Sequence, residues 1–94
     1  VKNLLSKDLC IGQVVRNLSG RDTGRLFFIV KVIDKEYVLI SDGKKRKLEK
    51  PKLKKVKHLQ KYDIINNVVK YKIESNNSIN NAFIRAELGK LNYV

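Results

Sequence analysis

The sequence predicts a mainly β fold, a small antiparallel barrel followed by a short C-terminal helical tail, and three observations carry that expectation. Leu26 to Ile33 (LFFIVKVI) is a run of aromatic and β-branched residues with Lys31 as its single polar member. Shorter runs of the same kind flank it, each bounded by turn formers. From Asp63 onward the apolar residues change spacing, from the period of two that suits a strand to one close to that of a helix. A chain of 94 residues is one domain's worth of sequence with a modest core.

Taken in order, Gly12 to Asn17 reads as a first strand and Leu26 to Ile33 as the second. Alternation along the second places Leu26, Phe28, Val30 and Val32 on one face, with Phe27, Ile29, Lys31 and Ile33 on the other. Both faces are apolar, so Phe27 and Ile29 call for cover, and the C-terminal segment is the expected source of it. Asp34, Lys35 and Glu36 connect to a strand at Tyr37 to Ile40, and Asp42-Gly43 signals a hairpin. Strands are expected at Lys44 to Leu48 and Lys54 to Leu59, with Pro51 keeping the two apart. Short strands joined by short turns within about fifty residues point to a barrel rather than a sandwich or a parallel sheet.

Beyond it, Ile64, Ile65, Val68, Val69 and Ile73 share one helical face with Asp63 as N-cap. Asn76, Asn77 and Ser78 make a turn, and a second helix carries Ile79, Phe83, Ile84 and Leu88 on one side with Gly89 as its stop. The organisation is therefore a barrel over residues 8–60 and a helical extension over 61–94 that packs on it.

Charge separates the two parts. Residues 1–60 hold 16 basic and 6 acidic residues, whereas residues 61–94 hold 5 and 3. Lys44 to Lys57 alone supplies nine basic residues against Glu49. Such density repels itself in a folded chain, and a polyanion relieves the repulsion. The stretch SGRDTGR, Ser19 to Arg25, adds two glycines four apart and two arginines, a loop with little side-chain bulk and guanidiniums suited to phosphate.

Gly12, Val14, Ser19-Gly20 and Gly24, followed by the Leu26 to Ile33 strand, resemble the KOW domain of ribosomal proteins and some transcription elongation factors. The longer stretch GRDTGRLFFIVKVIDKEYVLISDGKKRKLEKPKLKKVKHL is similar to bacterial KOW-domain RNA-binding proteins that resemble the ribosomal protein L-fourteen-e family. Many KOW motifs carry a further glycine where Phe27 stands here, which sets the chain apart from the elongation-factor branch. The resemblance covers about residues 11–60, and it implies a Src homology 3-like, KOW-type barrel. It also implies RNA binding, with ribosomal RNA of the large subunit and the ribosome itself as expected partners, and a role in translation.

The expected RNA contacts are Arg16, Arg21, Arg25, Lys44, Lys45, Arg46, Lys47, Lys50, Lys52, Lys54, Lys55 and Lys57, with Gly20 and Gly24 shaping the loop between the first two strands. Arginines suit bidentate phosphate contact and lysines act as point charges. Tyr37 and the three phenylalanines are read as packing residues, which favours recognition of folded RNA by backbone and shape over stacking of single strands.

Catalysis and metal binding are not expected. His58 is the only histidine, Cys10 the only cysteine, and the carboxylates are scattered through turns, so no nucleophile, general base or ligand set assembles. No cofactor, small-molecule substrate or membrane partner is implied. The lone Cys10 and the lack of a long apolar run lead to the expectation of a reducing, cytoplasmic setting. Two further readings stand beside RNA binding: a protein-interaction adaptor, and a transcription-associated KOW module that binds nucleic acid.

Overall fold

Leu26–Val32 forms the strand that its composition predicts, β2, and it lies at the centre of a five-stranded antiparallel sheet. Around it, β1 spans Gln13–Asn17, β3 Tyr37–Ser41, β4 Lys52–Lys55 and β5 Leu59–Ile65, in the order β4-β3-β2-β1-β5. Helices α1, Asn67–Glu74, and α2, Asn81–Gly89, complete the chain, and short 3-10 turns occupy Ser6–Asp8 and Val56–His58. This architecture is that of a computed structural model, which describes residues 5–91; the last three residues of the expected tail lie outside them. Among the described residues no helix is long and apolar enough to cross a membrane.

The sheet is mainly what alternation foretold, but it stays open, with β4 and β5 as its edges. Its two faces carry separate cores. On one, Val15, Phe27, Ile29, Val38, Ile40 and Leu59 cluster with Leu9 and Val56. No residue of α1 or α2 belongs to that cluster; Leu9 ahead of β1 and Val56 of the 3-10 turn complete it. On the other, Val14 and Phe28 pack against Val69 of α1 and Ile84 of α2, with Leu26, Ile73, Phe83 and Leu88 around them. The expectation that the helices cover Phe27 and Ile29 is therefore corrected: they cover Phe28 and Val14. A period of two separates the faces of a strand, but it does not say which face the helices cover.

A register shift between Ile29 and Lys31 interrupts the β2–β3 ladder. Beyond it Val32 is 38% exposed instead of following Phe28 into the core. Packing of the phenylalanines follows the sequence reading, with Phe27 and Phe28 buried and Phe83 partly so.

Two of the expected strands take other forms. Lys44 to Leu48 is a loop, because the Asp42 carboxylate accepts the backbone N–H groups of Lys44 and Arg46, both at 2.9 Å, and holds the chain in a turn. The alternating run from Lys54 is broken by the Val56–His58 turn, so His58 sits in a 3-10 turn rather than in a strand. The expected helix start also moves. Asp63, Ile64 and Ile65 belong to β5, where Gln13 pairs with Ile65 and Val15 with Lys61. Asn66 is the N-cap instead, its Oδ1 accepting from the Val68 and Val69 N–H groups at 3.1 and 3.0 Å. Ile64 and Ile65 are β-branched and fit a strand at least as well as a helix, and an open edge beside β1 decides between them. The expected boundary between residues 60 and 61 consequently falls inside β5.

α2 carries the expected Phe83, Ile84 and Leu88, but the expected Ile79 lies before its N-cap. Asn80 caps it by accepting the Phe83 N–H at 2.8 Å, and it ends at Gly89. Asn81 ties its start to the loop after β3, since its Oδ1 accepts the Leu48 N–H at 2.8 Å and its amide donates to Glu49 at 2.6 Å.

Candidate nucleic-acid interface

The chain between β1 and β2 closes on itself through backbone bonds from Gly24 N–H to the Asn17 carbonyl at 2.7 Å and from Asn17 N–H to the Arg25 carbonyl at 3.0 Å. Inside that closure Gly20 and Gly24 have φ of 78° and 86°, and Asp22 joins them at 65°. The left-handed region costs a residue with a Cβ of order 1 kcal/mol or more, which explains the glycines. Asn17 Nδ2 donates to the Arg21 carbonyl at 2.8 Å and Thr23 Oγ1 to the Gly20 carbonyl. Carbonyls are thus turned inward. The backbone N–H groups of Gly20 to Thr23 make no hydrogen bond among the described residues, which leaves them available to an anion.

A Cβ built on Gly24 meets nothing within 4 Å. Gly24→Val should therefore act through backbone strain alone and destabilise by about 1 to 2 kcal/mol. Thermal melting checks it, and an unchanged melting temperature would show that the loop has no need of glycine there.

The loop after β3 is built on Asp42 and lies against the first loop. Asp22 Oδ2 meets Arg46 Nε at 3.0 Å, and Asp42 Oδ2 meets Arg25 Nη2 at 3.6 Å. Each loop supplies one acid and one base to the other, so the two are stapled together. Both carboxylates are largely buried, at 8% and 6% exposure. Burial pushes the Asp22 carboxyl up, but the Arg46 hydrogen bond and the charges of Arg46, Lys45 and Arg25 outweigh it and hold the group below the usual carboxylate range.

A depressed carboxylate stabilises the fold above its unfolded pKa, and that contribution is lost as pH falls below about 4, through the folded value. Wild type should lose melting temperature more steeply than Asp22→Asn as acid is added in that window. Parallel acid limbs for the two proteins would show that the pair contributes nothing.

The expected contact residues divide into three groups. The side chains of Arg21, Lys44, Lys45, Lys47, Lys50 and Lys57 make no hydrogen bond or ion pair among the described residues, and all six residues are exposed. Arg21 and Lys45, with the stapled Asp22 and Arg46, line a concavity of about 450 Å³. Arg25 and Arg46 are the bases of the staples, each with part of its guanidinium still facing out.

The third group serves the fold. Arg16 lies over the Tyr62 ring, 5.6 Å from its centre, donates from Nε to Tyr62 Oη at 2.7 Å, and from Nη1 to the Gly24 carbonyl at 2.6 Å. Lys54 is 8% exposed and donates from Nζ to the Ser19 carbonyl at 2.7 Å. Burial first, with the Lys52 and Arg46 charges behind it, holds its ammonium below the usual lysine value against the pull of Asp22. Lys54 is a support under the first loop and not an outward charge. Lys55 pairs with Glu36 at 3.5 Å and lies over Tyr37, away from the stapled loops; half-buried Lys52 shares its edge strand β4. Lysines on an edge also discourage pairing with another sheet.

Residues 19–25 and 42–47 together carry Arg21, Arg25, Lys44, Lys45, Arg46 and Lys47 against Asp22 and Asp42, a net of +4 on one compact surface. Such an arrangement can hold a polyanion through fixed guanidiniums, mobile ammonium groups and free backbone amides. Sequence reading placed Asp22 and Asp42 in turns but missed that they join the loops. A pairing across 24 residues leaves no local signal.

Among the described residues no three His, Cys, Asp or Glu side chains gather to hold a metal ion. No family model matches the chain, and no curated protein matches it.

Proposed function

We propose that the chain is a non-enzymatic RNA-binding protein that grips structured RNA by its phosphates, through the two stapled loops. The observation that carries this reading is the reciprocal pairing of Asp22 with Arg46 and Asp42 with Arg25, which fixes two basic loops side by side while Arg21, Lys44, Lys45 and Lys47 stay unpaired. A merely solvated surface has no need of such bracing. Rigid presentation lowers the ordering cost of binding, and exposed lysines supply the salt-dependent part of the affinity.

The finer identity rests on resemblance. The strand order, the 3-10 turn between β4 and β5 and the glycine-shaped β1–β2 loop suit a Src homology 3-like barrel of KOW type. On that reading the partner is ribosomal RNA, the large ribosomal subunit is the preferred target, and the setting is cytoplasmic. Co-sedimentation in cell extract tests it: the protein should travel with large subunits at low salt and leave them as salt rises. Competition between duplex RNA and duplex DNA at matched salt separates RNA binding from a transcription-associated role. Migration with free protein at low salt, in extract with intact ribosomes, would overturn the ribosomal assignment and favour a protein partner.

A further inference from the structure

Beside the stapled loops, facing α2, lies a second cleft of about 370 Å³. Its size falls within the roughly 300–1,000 Å³ of small-ligand sites. Its character differs from that of the first concavity. Leu26 from β2 and the half-buried Leu88 from α2 give it apolar walls, and Gly89 leaves one side without a side chain. Arg25, Lys44 and Arg85 stand around it. The one acid among the lining residues, Asp42, is occupied by Arg25 and by the amides of Lys44 and Arg46.

Arg85 is held by its Nη1, which donates to the Gly43 carbonyl at 2.6 Å, so part of its guanidinium remains for another acceptor. A cleft with apolar walls and three cations against one acid, Arg25 being shared with Asp42, keeps a net of +2 and complements an apolar body that carries a negative charge. An extended hydrocarbon would find no use for three cations, and a bare phosphate none for the leucines. We propose that this cleft captures one unstacked nucleotide of the bound RNA, its base against Leu26 and Leu88 and its phosphate against Arg25, Lys44 and Arg85. The inference rests on the RNA-binding reading and adds to it a site that contacts a base, where the stapled loops meet only backbone.

Gly89 makes the test clean. Gly89 lines the cleft, its backbone lies outside the left-handed region and a Cβ there meets nothing within 4 Å, so Gly89→Phe brings a ring to the cleft with no clash at its Cβ. The probe is a stem-loop RNA with a single bulged adenosine, compared by fluorescence anisotropy with the same RNA carrying an abasic residue at the bulge. Wild type should prefer the adenosine by about fivefold to tenfold, since the base adds apolar burial that the abasic residue lacks. Gly89→Phe should bind both RNAs alike, at the affinity wild type has for the abasic one, with a melting temperature no lower than wild type. Equal affinity of wild type for the two RNAs would overturn the cleft and leave phosphate binding by the loops intact. Persistence of the preference in Gly89→Phe would also overturn it. Failure to bind either RNA would overturn both readings.

Discussion

Gly43→Val should destabilise the protein by about 3 kcal/mol or more, because it combines a strained backbone with a steric clash. Gly43 has φ of 73°, and a Cβ there would lie 2.5 Å from the Asn81 carbonyl oxygen and 3.0 Å from Ile84 Cβ. Both obstacles belong to α2, one of them backbone that cannot swing away. The helix must back off from the sheet, and with it goes the packing of Ile84 against Phe28 and Val14. A domain of this size holds roughly 5 to 10 kcal/mol in all, so the melting temperature should fall by about 12 °C or more. Gly24→Val is the matched control, with the same backbone strain and open space around it. Similar losses in the two variants would mean that α2 does not rest on Gly43.

Replacing Arg21, Lys44, Lys45 and Lys47 with glutamine should have the largest effect on binding. These four are exposed and unpaired, so their removal leaves the staples and both cores in place. If each meets one phosphate, the slope of log affinity against log salt should become shallower by about 3, and affinity at moderate salt should fall by about 100-fold or more. The melting temperature should stay level or rise, since like charges have been removed. Binding that keeps its salt slope would show that the loops are a solvated surface and would remove the proposed interface. Lys54→Gln offers a contrast in the same assay. With Nζ lost from the Ser19 carbonyl, it should lower stability and affinity together while changing the slope by less than one contact.

Two functions that the sequence combined are separate in the fold. The basic run from Lys44 to Lys57 looks uniform as text, yet Lys44, Lys45 and Lys47 face solvent on a braced loop while Lys54 is buried beneath another. Arg16 and Arg21 are alike in composition and differ in use, one guanidinium packed on Tyr62 and the other making no hydrogen bond or ion pair among the described residues.

What the sequence determined by itself was local in cause. The β2 strand, the glycines of the first loop, the turn at Asp42, the apolar side of α2 and the surplus of positive charge each follow from neighbours a few residues apart, where sterics and side-chain preference act. Tertiary structure alone decided the rest. It placed Phe27 and Ile29 in the core without the helices and Phe28 under them, because the face on which the helices dock depends on the whole sheet and not on one strand. It drew Asp63 to Ile65 into β5, because an unpaired edge of β1 offered hydrogen bonds that outweighed a helical pattern. It also set Asp22 against Arg46 and Asp42 against Arg25, since charges far apart in the chain meet only when the strands that carry them pair.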